Sequence, residues 1–557
     1  MIRPWTGDES ATRHETIIVG SGPAGLTVAM ELARLGRPSL VLESGAKAPS
    51  AAQHLSAAHI VDPVSHDSMS VAVARQLGGT SNLWGGRCLP LDPIDFEPRA
   101  FAHGARWAIG YDDLAPFYEI ACEYANCGKP VFDLPPPAIH PANDSFSLSA
   151  IERCSNSPRF QQAHRDALAL SPLIDIRLDA TVVNFNLGDN GRIVSLSVAG
   201  ANGEKLDLQA ERFVIAAGGL ESTRLLLALQ RKHADLFGGA DGPLGRFYMG
   251  HLIGEIADIT FDDPRLDAEF DFQLDGCGSY VRRRFTPSPA LQRSAPLPNI
   301  SFWPVVPPIA DARHASGPLS AVAMALSTPA IGRAFVPELI RARHLTGRFD
   351  WAAHARNVAA DAPATLRFLA SFVHKRYLGK FRVSGYYLRN RARRYGLSYH
   401  SEQSPHSASR VTLAPTKDRL GLPQLRIDLR FSRDDAEGIV QAHHCLAKWL
   451  ERSSFGRIDY RQPESANIDA VVARMAHGSH QIGTARMGRS RTEAVVDGNL
   501  RCFDCANLYV ASSAIFATSG QANPTLSIVA FAARLASHLV EETKLAATAA
   551  TRAAAYA

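Results

Sequence analysis

Apolar residues along this chain switch between two spacings, and each switch marks an element. "TIIVG" (16–20) is a short β-branched run of the kind a buried strand shows. After a glycine-rich turn, "LTVAMELARLG" repeats apolar residues at helical spacing and stops at Gly36. "PSLVLESG" reads as a second strand, ended by Glu43. "ERFVIAAGGLESTRLLLAL" repeats the plan as strand, Ala-Ala-Gly-Gly turn and helix, a further element of the same sheet. "YGLSYHSEQSPHSASRVTLAP" alternates and then turns, which predicts a strand of another sheet. Residues 316–396 read as a helical insertion rich in arginine, with Glu338, Asp350 and Asp361 as its few acids. "DLPPPAIHP" is a proline-rich connection near residue 136, and the alanine-rich tail after Glu542 is expected to fray.

At 557 residues the chain exceeds one ordinary core. Its 46 % hydrophobic and 20 % charged residues are those of a globular protein. A net charge of +5, with no basic run interleaved with aromatics, excludes nucleic acid as the main partner. No apolar run reaches the ~18 residues that span a bilayer. "MIRPWTGDESATRHET" has neither an apolar signal core nor twin arginines, so a cytoplasmic location is expected. The basic insertion adds a second expectation, peripheral contact with the inner face of a membrane or with an acidic electron acceptor; its alternative is a solvated cover over a pocket mouth. The eight cysteines are scattered, unlike a disulfide framework, and Cys502 and Cys505 read as two thiols on a turn.

Between the first strand and helix lies Gly20-Ser-Gly22-Pro-Ala-Gly25. Strand, G-x-G-x-x-G and helix together form a dinucleotide-binding fingerprint. Gly20 allows the tight turn, Gly22 lets the backbone approach a pyrophosphate, and Gly25 lets helix and strand pack closely. The helix N-terminus offers free N–H groups and partial positive charge to phosphates. Glu43 stands where a carboxylate would accept from adenosine ribose hydroxyls. "ARQLGGTSNLWGGRC" (74–88) sets four glycines around one tryptophan, which suits a backbone lying against a flat ring system.

With "VGSGPAG", "VLESG", "LGGTSNLWGG", "VIAAGGLESTRLLL", "HGSHQIGTARMG", "VVDGNLR" and "NLYVASSAIFATSGQANPTLSIVAFAARLA", the chain resembles the glucose–methanol–choline (GMC) flavin oxidoreductases. The resemblance runs from residue 16 to residue 540 and points to bacterial sugar- and alcohol-oxidising members. It implies an α/β fold (α+β overall): a Rossmann-like FAD-binding domain, with a non-contiguous substrate domain built on an antiparallel sheet. The corresponding boundaries are 12–130 and 175–255 for the FAD domain, 256–470 for the substrate domain with its insertion at about 316–396, and 471–545 for a C-terminal return. It also implies oxidation of an alcohol, preferably a sugar, glycoside or polyol, by hydride transfer to flavin N5. The electron acceptor is not specified by any residue. A dehydrogenase is expected in preference to an oxidase; the alternatives are a non-redox lyase with structural flavin and an oxidase of aromatic or aliphatic alcohols.

On the same resemblance, His480 matches the catalytic histidine and Asn523 the second catalytic position. Gly79, Thr80, Asn82, Trp84, Gly85, Val183, Ala217, Gly218, Ala514 and Thr525 join Gly20, Gly22, Gly25 and Glu43 as FAD-binding candidates. Leu83 stands where some relatives carry a flavin-linked histidine, so FAD is expected to be held non-covalently. The chemistry agrees: an imidazole takes a hydroxyl proton near neutral pH. A carboxamide holds the oxygen and stays neutral. One extended strand would turn His477 and His480 to opposite faces, so no shared metal is expected. His477 and Arg486 are read as structural. For substrate contacts, Gln403 is preferred and Glu402 is the alternative, because neighbours on a strand alternate.

Overall fold

The computed structural model describes residues 1–7, 13–135, 145–335, 341, 345, 349–390 and 392–556. Residues 136–141 of the proline-rich connection and Glu338 lie outside them. Two of its sheets carry the architecture. Their strands are β1 (Ile2–Pro4), β2 (His14–Val19), β3 (Ser39–Leu42), β4 (Ile174–Leu178), β5 (Ala210–Ile215), β6 (His251–Phe261), β7 (Ile300–Val305), β8 (Arg394–Glu402), β9 (Gly456–Tyr460) and β10 (Leu508–Val510). The helices that matter here are α1 (Pro23–Arg34), α2 (Gly219–Lys232), α3 (Gly317–Ser327), α4 (Trp351–Ala360), α5 (Ala362–Val373), α6 (Arg433–Arg452) and α7 (Thr525–Tyr556).

The first sheet is parallel, in the order β1-β4-β3-β2-β5-β10. Ile17, Ile18, Phe213 and Val214 are fully buried, which is why these strands read as unbroken apolar runs. α1 starts at Pro23, whose missing N–H costs nothing in a first turn. It ends at Gly36 (φ +77°), with Gly36 N–H bonded to Ala33 O and Arg37 N–H to Leu32 O. β10 pairs with β5, so the sheet is complete only when the chain returns at residue 510. α7 then lies against α1. The alanine tail expected to fray continues α7 to Tyr556, in keeping with the helix preference of alanine.

The second sheet is antiparallel, in the order β7-β8-β6-β9. Alternation gives it two faces. Leu397 and Tyr399 point into the apolar cluster that holds Leu446 and Trp449 of α6. On the other face Ser301 pairs with His400, Trp303 with Ser398, and His251 with Glu402. α3, α4 and α5 occupy the connection between β7 and β8.

Candidate active site

The nucleotide fingerprint folds as its glycines require. Gly20 has φ +103°, and a Cβ there would meet Ala216 O at 2.6 Å. A Cβ on Gly25 would lie 2.0 Å from Gly20 O. Gly22, Gly85 and Gly218 differ: a Cβ on any of them would enter open space. Gly22 and Gly218 follow β2 and β5, adjacent parallel strands, so that space lies off their carboxyl ends, where such sheets bind ligands. Glu43 follows the next strand. It is buried and accepts from Ser21 N–H at 3.0 Å, Ser21 Oγ at 2.6 Å and Gly45 N–H at 2.8 Å. Burial pushes its carboxyl pKa up, against those bonds. The open glycines, aligned helix start and carboxylate fit a dinucleotide such as FAD.

The tryptophan loop is held by its own side chains. Asn82 Nδ2 donates to Leu77 O (3.1 Å) and Gly79 O (2.8 Å), and its Oδ1 accepts from Gln161 (2.7 Å). Thr80 Oγ1 accepts from Ala74 N–H at 3.3 Å, and Trp84 Nε1 donates to Pro158 O at 2.6 Å. Gly79 packs so tightly that a Cβ would sit 2.8 Å from Gly22 Cα, joining this loop to the fingerprint. Val183 lies on the side strand Thr181–Leu187, packed beside the cluster of Ala52, Leu55 and Leu420. Ala217 and Gly218 form the β5–α2 turn, Ala514 sits in the turn after β10, and Thr525 opens α7.

His480 and Asn523 are brought together from either side of β10: His480 Nε2 lies 3.4 Å from Asn523 Nδ2. The loop carrying His480 is fixed onto α2. Gln481 Oε1 accepts from Leu220 N–H (3.2 Å), Ser513 Oγ donates to Gln481 O (2.6 Å), and Thr484 and Thr223 share a hydroxyl bond of 2.7 Å. Gly219 has no room for a side chain, because a Cβ would fall 2.1 Å from Gln481 O.

The expected strand at 477–480 is absent, and that corrects the placement of His477. The chain bends at Ser479 next to Gly478, which packs against Asp67 too closely for a side chain. The His477 and His480 rings therefore come within 4.6 Å rather than facing apart. One nitrogen from each of His251, His477 and His480 lies within a 4.8 Å spread. The opposite-face basis for excluding a shared ion is thereby overturned.

Sequence reasoning missed His251 and His400. His251 Nδ1 lies 2.8 Å from His480 Nδ1, across 229 residues. His400 stacks on His251 at 4.3 Å and 14°, and donates through Nδ1 to Gln521 O at 2.6 Å. Burial lowers the His251 pKa to about 3 and holds His400 well below the ordinary histidine value, so both are neutral near pH 7. Nothing local in "MGHLIGEIADITF" marks His251; only the pairing of β6 with β8 reveals it. Below this group lies a buried guanidinium cluster. Burial opposes ionisation of Glu152, but Arg282, Arg87 and Arg284 together hold its carboxyl at about 2. Arg284 lies 4.5 Å over the Trp303 ring and donates to Gln521 Oε1 at 3.0 Å.

The substrate assignment of Glu402 and Gln403 is corrected. Glu402 is fully buried in a two-point ion pair with Arg99, and it accepts from Asn299 N–H at 2.6 Å. Gln403 Oε1 accepts from Gly250 N–H (2.8 Å) and its Nε2 donates to Arg430 O (2.6 Å). β8 ends at Glu402, and both side chains are engaged by protein partners rather than left open for a substrate. Arg99→Met is therefore expected to strand a buried carboxylate and to lower unfolding free energy by about 3–5 kcal/mol. Denaturant unfolding measures this, and a loss below ~1 kcal/mol contradicts it. Arg486 lies 3.7 Å over Phe247 and donates to Glu493 O at 2.8 Å, as a packing residue does.

Together these features define a flavin-dependent oxidoreductase. The chain matches the FAD binding domain family over residues 15–242 and the GMC oxidoreductase family over residues 405–532. The chain is thus similar to the GMC oxidoreductases in its C-terminal part and to FAD binding domains in its N-terminal part. It is 21 % identical to 2-methyl-1,2-propanediol dehydrogenase of Mycolicibacterium austroafricanum, over 95 % of this chain and 96 % of that protein. Its fold is similar to that of an FAD-dependent oxidoreductase from Chaetomium thermophilum (TM-score 0.54, 14 % identity, 96 % of this chain and 100 % of that one). Formate oxidase of Aspergillus oryzae is also similar (TM-score 0.52, 15 % identity, 96 % and 100 %).

Proposed function

We propose that this protein oxidises an alcohol to its carbonyl, with a sugar, glycoside or polyol as substrate and FAD held non-covalently in a Rossmann-like domain. The observation that carries this reading is the convergence of His480 Nε2 and Asn523 Nδ2 at 3.4 Å. FAD, when bound, supplies the hydride acceptor that no side chain offers. Glu43, with three donors engaged, keeps acceptor capacity for a ribose hydroxyl. Leu83 offers no nucleophile for a covalent link.

The residues divide the proton work. Asn523 presents an N–H donor to His480 Nε2, which selects the tautomer with a lone pair at Nε2. The ring's proton then sits on Nδ1 and is donated to His251 Nδ1 at 2.8 Å. His251 can accept it because burial keeps that ring neutral. An alcohol hydroxyl placed between the pair gives its proton to Nε2, while the Asn523 amide holds the oxygen as charge develops. Arg284 and the Trp303 face lie below, with Ser301 and Ser398 on the same sheet face as His400. Hydroxyls and imidazoles on one face suit a polyhydroxylated substrate. The diol named for the Mycolicibacterium relative is a further support.

Replacing His251 by phenylalanine removes the acceptor for His480 Nδ1–H. Turnover is expected to fall about 10–100-fold, within the range of second partners that orient a histidine, with flavin retained. His251→Asn, which keeps an acceptor oxygen, is expected to recover part of it. Equal losses in both variants would show that His251 only fills space. The reading as a whole is tested by anaerobic mixing with sugars, polyols and aromatic alcohols. One class should bleach the flavin absorbance; turnover of a substrate without any bleaching favours a lyase.

A further inference from the structure

We propose that the helical insertion between β7 and β8 is a docking surface for an anionic lipid bilayer. α5 and the turn that follows it (His374–Leu378) carry Leu366, Ala370, Val373 and Tyr377 at spacings of four, three and four, so they form one stripe. All four are exposed. Leu366 is 69 % accessible and the adjacent Leu378 is 73 %. The opposite face, with Phe368 and Phe372, packs on Tyr386 at 5.5 and 5.6 Å. The stripe is therefore the outer side of a helix already seated on the protein.

This concentration is local. Among the described residues, Trp351 of α4 and Tyr377 are the exposed large aromatics, and Ile331, Leu366, Val373 and Leu378 share the same insertion. Charge accompanies it. Residues 351–382 hold Arg356, Arg367, Lys375, Arg376, Lys380 and Arg382 against the single carboxylate Asp361. Arg356, Arg367 and Lys380 are exposed, and no ion pair is formed by them among the described residues. Exposed leucine, tryptophan and tyrosine edged by cations match the headgroup boundary of an anionic membrane, where aromatics anchor and cations meet phosphate. No helix among the described residues is long and apolar enough to cross a membrane, so the contact is peripheral.

The surface also adjoins the flavin loop. Arg382 donates to Ser155 O at 3.2 Å and Gly85 O at 3.5 Å, directly beside Trp84. A docked insertion brings that loop close to the lipid headgroups, where a lipid-bound substrate or electron acceptor would arrive.

The test is flotation of the holoprotein with vesicles of equal parts phosphatidylglycerol and phosphatidylcholine, beside vesicles of phosphatidylcholine alone. Flotation is expected with the anionic vesicles only, and release at molar salt, because exposed charges are screened. R367Q/K380Q is expected to weaken binding about 30-fold, from ~1 kcal/mol per cation at an anionic surface. L366S/L378S is expected to weaken it by about tenfold or more, from the lost apolar burial. Both variants should keep the flavin and the wild-type melting temperature, since these side chains face away from the fold. Absence of flotation, or binding that neither variant changes, overturns the proposal. So does vesicle-independent loss of electron transfer to an acidic protein in R367Q/K380Q, which would assign the surface to that protein instead.

Discussion

His480→Ala is expected to lower turnover about 10²–10⁴-fold, the usual contribution of a positioned general base. The protein should remain yellow and fully folded. His480 is half-buried, on a loop whose anchors are Gln481, Thr484 and Ser513 rather than the ring itself. Removing the imidazole therefore removes Nε2 from beside Asn523 without releasing the loop. The loss should fall on kcat for bleaching of the flavin in single turnover and much less on FAD content. Asn523→Ala would leave Nε2 in place without its partner amide, so a smaller loss, about 10²-fold, is expected for one lost oxyanion donor. If His480→Ala instead retains more than about a tenth of wild-type bleaching rate, the proton is taken by another group.

The second large effect separates two glycines of one motif. Gly25→Ala places a Cβ 2.0 Å from Gly20 O, which only a shift of the β2–α1 turn can relieve. Insoluble protein, or a melting temperature lowered by many degrees, is expected whether or not FAD is added. Gly22→Ala meets nothing within 4 Å. Its protein should fold and melt like the wild-type apoprotein, yet bind FAD roughly 5- to 150-fold more weakly. That corresponds to about 1–3 kcal/mol for a methyl pushed into an occupied space. Calorimetric titration of apoprotein with FAD measures the difference. Wild-type affinity in Gly22→Ala would mean that the pyrophosphate does not lie over this turn.

How much of this the sequence disclosed follows from the range of each interaction. The β2–α1 turn was legible because its glycines, strand and helix are contiguous and each has a local steric duty. The insertion's helices and basic character were equally visible, since periodicity and charge need no partner. His480 and Asn523 were reached through family motifs, because 43 residues separate them and their meeting depends on β10 entering the sheet beside β5. His251 and His400 carried no local signal, for their contact is a product of the β6–β8 register. The strand reading at 477–480 failed at Gly478, where close packing on Asp67 bends the chain. Glu402 and Gln403 misled because alternation tells which residues share a face, not whether Arg99 or Gly250 already waits there. A buried ion pair and a polar substrate contact look alike in one dimension.

The proton transfer proposed here needs one alcohol oxygen between His480 and Asn523. A crystal structure of the reduced holoenzyme with its alcohol bound would locate that oxygen. It is expected within hydrogen-bonding reach, about 2.6–3.2 Å, of both His480 Nε2 and Asn523 Nδ2. An alcohol bound with its oxygen out of contact with either atom, while its carbon faces the flavin, would contradict it.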